Sequence, residues 1–334
     1  MAGFHRAIES NGWFFLGLVA GWRDVMSITE LFDSIDALEG PTVATIGTFD
    51  GVHLGHQALL QRVQGEAAAR GAKSVALVFR EQPRAFIKPG TSVTYLSDFN
   101  TRRDILNEMG IDHVVQLDFG SAIQQLSSDD FITALQERIG LVSLVLGPGA
   151  LIGSDRAGVE QLTATGRHSD IDFLGVPSIV VDGEAVSSSV IRIAIVSGNC
   201  KLASKMLGRN YSISGVVASG EKRGREIGFP TANIEPEFPV TIPENGIYAT
   251  VAEVDGVMHN AATSIGVRPT FETDGGRTIE AFLLDFDGDL YTKRLRLEFV
   301  KRLRPEVAFE SVEQLVEQMN QDVELTRQIL AGNN

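Results

Sequence analysis

The chain has 334 residues, 43% hydrophobic and 22% charged, with a formal net charge of −14. That length predicts about two domains of ordinary soluble composition. The acidic balance argues against the broad basic face of a nucleic-acid binder, yet leaves room for a locally basic pocket that takes a small anion. The single cysteine, Cys200, can form neither an internal disulfide nor a Cys-rich zinc site. It reads as a small helix residue, and a reducing cytoplasm is the expected setting.

Residues 12–22 (GWFFLGLVAGW) are apolar but fall far short of the ~20 residues that span a bilayer. His5, Arg6 and Glu9 precede them and no A-x-A cleavage pattern follows, so they do not read as a signal peptide. Residues 1–25 are taken as an extension ahead of a start at Met26, with a membrane anchor as the lesser alternative. A short helix is expected at Ser27–Leu38, capped by Ser27 with Glu30 three residues on. Strands at Thr42–Ile46, Val75–Phe79, His113–Leu117, Ser143–Leu146 and Ile179–Val181 alternate with helices at 56–70, 101–109, 129–139 and 189–197. Short continuous apolar strands alternating with helices predict a parallel sheet covered on both faces.

From Tyr211 onward the helical pattern gives way to short strands separated by turn residues. They fall at Tyr211–Ala218, Gly246–Glu253, Asn260–Ile265, Thr278–Leu284 and Arg294–Leu303, a spacing that predicts a small antiparallel barrel. A last helix, Ser311–Leu330, carries Val312, Leu315, Val316, Met319 and Val323 on one face, which is expected to be buried. The fold class is therefore α/β plus all-β, with a soft boundary at residues 200–210. The expected divisions are 1–25, 26–205 and 206–334.

The first chemical constellation is Ile46-Gly47-Thr48-Phe49-Asp50-Gly51-Val52-His53-Leu54-Gly55-His56. It lies between a strand and a helix, where open α/β sheets bind ligands. Gly47, Gly51 and Gly55 permit tight turns and close approach of backbone to phosphate, and a helix beginning at His56 favours negative charge. Two histidines flanking a glycine can donate hydrogen bonds to phosphate oxygens. A metal pair is the competing reading, but helical metal histidines favour i, i+4 spacing and these are i, i+3.

The stretch TIGTFDGVHLGHQALL resembles the adenylyltransferase module of bifunctional riboflavin kinase/FAD synthetases. Ser187-Ser188-Ser189-Val190-Ile191-Arg192 is similar to that family's late phosphate-binding loop. A serine run alone reads as a turn and cap. An arginine in a first helical turn opposes the helix dipole, which points to an anion partner for Arg192. The resemblance implies a Rossmann-like nucleotidyltransferase domain in which His53, His56 and Arg192 stabilise charge, and Gly47, Thr48, Phe49, Asp50, Gly55, Ser187 and Ser188 bind nucleotide. Two segments depart from the family pattern. The usual Phe-x-Pro-x-Pro is Phe79-Arg80-Glu81-Gln82-Pro83, and a loop normally carrying Asp or Asn and two aromatics is Gly147–Gly153, without them.

The second constellation runs from Ser219 to Asn233. Gly220, Gly224 and Gly228, with Lys222, Arg223 and Arg225, suit a loop that cups and screens phosphate. A mobile charged hairpin is the bland alternative. Thr231 and Asn233 share one side of an extended chain, and both offer hard oxygen ligands suited to Mg²⁺. The run resembles the riboflavin kinase signature, as do Asn245–Tyr248, Ser264–Phe271 and Glu280–Tyr291. Small departures are Phe282 in place of a histidine and Thr292 in place of a glycine. The resemblance implies that Glu280 is the general base, that Thr231 and Asn233 hold Mg²⁺, and that Gly220, Lys222, Arg223, Gly228 and Pro230 bind nucleotide. It places Arg304 among flavin contacts.

The expected activity is phosphorylation of riboflavin by ATP to give FMN, followed by adenylylation of FMN to give FAD and pyrophosphate. The partners are small molecules, with neither nucleic acid nor membrane. One alternative keeps the kinase and makes the N-terminal module a nucleotide- or flavin-binding regulator. Another makes that module a nucleotidyltransferase for a non-flavin phosphate.

Overall fold

A computed structural model of the chain describes residues 37–87, 93–218, 227–267 and 277–332. The helix expected at Ser27–Leu38 lies outside them, apart from its last two residues, which are not helical.

The first half is built from strands β1 (Thr42–Gly47), β2 (Lys73–Phe79), β3 (His113–Leu117), β4 (Leu141–Leu146) and β5 (Asp172–Gly175), all parallel in the order β3-β2-β1-β4-β5. Between them run helices α1 (Leu54–Arg70), α2 (Pro83–Ile87), α3 (Phe99–Glu108), α4 (Ser121–Gln125), α5 (Ser128–Ile139) and α6 (Val159–Thr165). Strand β2, KSVALVF, is buried from its second residue to its last, because both faces of a parallel sheet are covered. Successive residues face opposite cores. Val75 and Leu77 pack with Phe131, Ile132 and Leu135, while Ala76 and Val78 pack with Val43, Leu60 and Val63.

The strand expected at Ile179–Val181 is not part of this sheet. Val180–Val181 (β6) pairs antiparallel with Glu184–Ala185 (β7) in a separate hairpin. The fifth sheet position belongs to β5, Asp172-Phe-Leu-Gly. It is a short, half-exposed edge strand, and two apolar residues carry too little periodicity to announce it.

Helices α7 (Ser188–Val196) and α8 (Cys200–Leu207) lead into the second half. They share one apolar core with the barrel, in which Ile191, Ile195, Ala203 and Met206 pack with Tyr211, Ile213, Tyr248 and Phe299. Cys200 is a buried free thiol, and burial pushes its pKa up to about 11. The barrel closes in the order β10-β11-β12-β9-β8-β13. Its strands are β8 (Tyr211–Ala218), β9 (Ala232–Pro236), β10 (Gly246–Val254), β11 (Val257–Val267), β12 (Arg277–Leu283) and β13 (Arg294–Arg304). Strand β8 alternates buried and half-buried residues along its whole length, as a small filled barrel requires.

Helix α9 (Val312–Ala331) ends the described chain, capped by Ser311, whose side chain accepts from the Gln314 N–H. Val312, expected on its buried face, is 56% exposed. The first turn stands in solvent and contact with the barrel begins at Leu315. Leu315, Val316, Met319 and Val323 are half-buried, whereas Asp322, Thr326 and Leu330 are buried. The two halves also meet through a parallel bridge between Tyr95 and Val240, with Tyr95 N–H donating to Pro239 O at 2.9 Å and Thr241 N–H to Tyr95 O at 2.8 Å.

Candidate active site

A cleft of about 550 Å³ opens at the carboxyl ends of β1 and β4. The strand order reverses between these strands, which is where doubly wound sheets take ligands. Gly47, Thr48, Phe49, Asp50, His53, Gly55 and His56 line it from the β1–α1 junction, and Ser187, Ser188 and Arg192 from the start of α7. Sequence positions more than 130 apart thus meet in one cavity.

Helix α1 begins earlier than expected. His53, not a residue at His56, is its N-cap, and His53 Nδ1 accepts from the His56 N–H at 3.3 Å. That bond places the ring proton of neutral His53 on Nε2. The two imidazoles stack with centroids 3.7 Å apart. Burial lowers the His53 pKa to about 4. Burial, then the neighbouring His53, hold His56 well below the ordinary range. Both rings are therefore neutral donor/acceptors near pH 7. His56 Nδ1 is buried without a hydrogen-bond partner among the described residues.

Of the three glycines in the junction, Gly51 alone has a positive φ, at +80°, and a Cβ there would lie 2.8 Å from Leu96 Cδ1. Asp50 is committed to the protein. Its Oδ1 accepts from Leu96 N–H at 2.8 Å and Ser97 N–H at 3.3 Å, and its Oδ2 accepts from Arg192. Burial raises its pKa, while Arg192 and the two backbone donors pull the other way. All three partners are donors, so Asp50 is bound as the carboxylate. Arg192 lies one turn into α7, not in its first turn, and its anion partner is Asp50; its Nε also donates to Thr94 O at 2.9 Å. Ser187 caps α7 through the Val190 N–H, and Ser188 Oγ donates to Asp50 O at 2.9 Å.

A second cavity of about 480 Å³ shares Ile46, Gly47, Thr48, Pro83 and Ala150 with the cleft. The altered Gly147–Gly153 loop contributes Leu151, Ile152 and Gly153 here, and Phe79, Phe119 and Phe131 supply aromatic wall. Phe119 meets Phe79 and Phe86 edge-on at 5.5 and 5.7 Å.

The barrel carries a separate site. Asn233 lies opposite Glu280 in the β9–β12 pairing. Thr231 Oγ1 donates to Glu280 Oε2 at 3.4 Å. Thr231, Glu280 and Arg304 line a pocket of about 290 Å³ between barrel and α9, walled by Phe229, Phe282, Phe309, Leu315, Met319 and Val323. Thr231 also borders a smaller pocket with Pro230, Phe286 and Tyr291. Gly228 precedes these residues in a turn at φ +85°. Gly220, Lys222 and Arg223 lie outside the described residues. Arg304 reaches Asp322 on α9 through three hydrogen bonds of 2.6, 2.9 and 3.2 Å.

A riboflavin kinase family model matches residues 207–330, and an FAD synthetase family model matches residues 35–190. The bifunctional riboflavin kinase/FMN adenylyltransferase of Pseudomonas fluorescens is 36% identical over 86% of this chain and 93% of its own length. The enzyme of the same description from Escherichia coli K12 is 32% identical over 87% of this chain and 93% of its own. The chain belongs to the bifunctional riboflavin kinase/FMN adenylyltransferase family. A crystal structure described as a macrolide-efflux protein from Streptococcus pneumoniae shares the fold with a TM-score of 0.82, at 30% identity over 88% of this chain and 96% of that one.

Within this family architecture the sequence motifs marked cleft and pocket walls but not the groups beneath them. Asp322 was legible only as a carboxylate on an otherwise apolar helical stripe, at i+3 from Met319 and i+7 from Leu315. Arg102 and Arg209, which bond to backbone carbonyls of the β1–α1 junction, lie in no motif. Among the described residues, no helix is long and apolar enough to cross a membrane.

Proposed function

We propose that the chain phosphorylates riboflavin with ATP in its barrel, residues 206–334, and adenylylates FMN with ATP in its α/β module, residues 26–205. The observation that carries the reading is the convergence of Thr231, Asn233 and Glu280 on one face of the β9–β12 pair, beside an apolar pocket large enough for a flat ring. Glu280 takes the proton from the ribityl 5′-hydroxyl as that oxygen attacks the γ-phosphorus of ATP, and ADP leaves. The apolar wall of Phe229, Phe282, Met319 and Val323 covers the flavin ring. Lys222, Arg223 and the Gly220 backbone screen the ATP phosphates.

A hydroxyl, an amide oxygen and a carboxylate are hard donors that fit Mg²⁺, which seldom takes an all-protein cage and shares its shell with phosphate. Thr231 and Asn233 would hold the ion, which would supply charge neutralisation to the phosphates. The protein's own part is to place Glu280 and the ring in fixed register through the strand pairing.

In the α/β cleft an FMN phosphate oxygen attacks the α-phosphorus of ATP and pyrophosphate leaves. The Nε2–H of His53, with His56 and Arg192, donates to the phosphate oxygens as charge moves onto the leaving group. The adjoining aromatic cavity takes the flavin, with Phe79 and Phe119 standing in for aromatics that the Gly147–Gly153 loop lacks. Incubating the purified chain with riboflavin, ATP and Mg²⁺ and separating the flavins tests both steps. FMN must appear first and FAD second. FMN without FAD would reduce the α/β module to a binding domain.

A further inference from the structure

The junction between β1 and α1 is strained. Phe49 and Val52 both have positive φ, at 51° and 39°, on either side of Gly51 at 80°. A β-branched residue such as Val52 rarely adopts that region, and such backbone persists only where its surroundings over-determine it. Gln57 Nε2 donates to Val52 O at 2.9 Å and Ser97 Oγ accepts from the Gly51 N–H at 3.1 Å, and two arginines add cationic donors to the same segment. Arg102 on α3 is fully buried. Its Nη1 donates to Thr48 O at 2.5 Å and Phe79 O at 3.0 Å, and its Nη2 to Arg80 O at 2.7 Å. Half-buried Arg209, in the link between α8 and β8, also reaches this segment, with Nη2 donating to Gly51 O at 2.8 Å and Nη1 to Val52 O at 3.4 Å.

We propose that Arg102 and Arg209 are positioning residues for adenylyl transfer, clamping residues 48–52 in the strained conformation that presents Thr48, His53 and His56 to the cleft. This rests on the reading of the cleft as the adenylyltransferase site. Carbonyls at the carboxyl ends of parallel strands have no sheet partner beyond the last rung, and a planar guanidinium can satisfy several at once. Arg102 ties the end of β1 to the end of β2 in this way. Burying a cation against carbonyls costs more than burying a leucine, and here it returns a fixed backbone and a positive charge beneath a site for polyphosphate. A lysine offers one ammonium on a flexible stem and cannot span the same three carbonyls.

The test uses the full-length chain, whose kinase reaction reports on folding of the same molecule. In Arg102→Met and Arg209→Met, kcat for FAD formation is expected to fall about 100-fold, as for small misplacements of reacting groups, while FMN formation stays within about twofold of wild type. The KM for ATP should change little, because neither arginine touches substrate. Arg102→Lys should recover only part of the loss. A folded Arg102→Met chain with FAD kcat within about threefold of wild type overturns the proposal. So does a parallel fall of both activities in every variant, which would mark a purely structural role. If Arg102→Met does not fold, Arg102→Lys and Arg209→Met decide by the same criteria. If wild type forms no FAD, the cleft reading itself fails, and the clamp with it.

Discussion

Asp322 reaches from α9 to Arg304 at the end of β13, and three hydrogen bonds of 2.6, 2.9 and 3.2 Å join the two side chains. Both residues line the barrel pocket, and Gln318 Nε2 adds a further bond to Asp322 Oδ1 at 3.2 Å. Asp322→Ala leaves a mostly buried guanidinium without its partner, which costs about 3 kcal/mol. Thermal unfolding of the variant should move down by several degrees, and its KM for riboflavin should rise, because α9 walls the pocket. Asp322→Asn should fall between wild type and alanine in both measurements.

Glu280 and Thr231 lead to a second prediction. Glu280→Gln keeps the shape of the side chain but removes the proton acceptor, and kcat for FMN formation should fall by about 10²- to 10⁴-fold. FAD formation from supplied FMN should be unchanged. Equal loss of both rates would show that the substitution acts on the fold.

The histidine pair predicts an acid-labile module. The His53 pKa falls from an unfolded value of 6.5 to about 4 on burial. A depressed folded value means that the unfolded chain takes up the proton first as pH falls. The contribution is therefore intact above pH 6.5 and drains away toward pH 4, amounting to about 2 kcal/mol lost by pH 5. His56 is shifted in the same direction. Urea unfolding measured across this range should show a flatter pH dependence in His53→Asn, where asparagine preserves the helix cap.

Asp50 offers a fourth test. Asp50→Asn places an amide among three donors in a buried site, so one must go unpaired, at about 1–3 kcal/mol. Arg192 also loses its anion, and residues 94–97 lose their anchor. FAD formation should drop by at least tenfold, as expected from about 1.4 kcal/mol of lost positioning, while FMN formation persists.

These cases mark what could be read from the sequence and what could not. The sheet was legible because Val75–Phe79 is an unbroken apolar run and its sister strands are short and largely apolar. The barrel was legible because, from Tyr211 onward, short strands recur between turn residues at close spacing. Edge strand Asp172–Gly175 was not, since only Phe173 and Leu174 of its four residues are large and apolar. The α/β cleft followed from a motif whose glycines and histidines carry their own chemistry, whereas Glu280 stood out only through the resemblance to riboflavin kinases. The commitment of Asp50 to Leu96, Ser97 and Arg192 did not, because a buried carboxylate and a phosphate-facing one look alike in a linear chain. Nor did Arg102, whose partners are carbonyls, which every residue possesses.

The shared core of α7, α8 and the barrel bears on how the chain is made. Ribosomes deliver the α/β module first, and domains emerging from the N-terminus generally fold in that order. Here Ile191, Ile195, Ala203 and Met206 find their packing partners on β8, β10 and β13, the last of which ends at residue 304. The nascent module thus carries an uncovered apolar flank for roughly 100 residues of further synthesis, about 5–20 seconds at ordinary elongation rates. Nascent-chain pulse proteolysis should find α7 and α8 cleavable until β13 has left the exit tunnel.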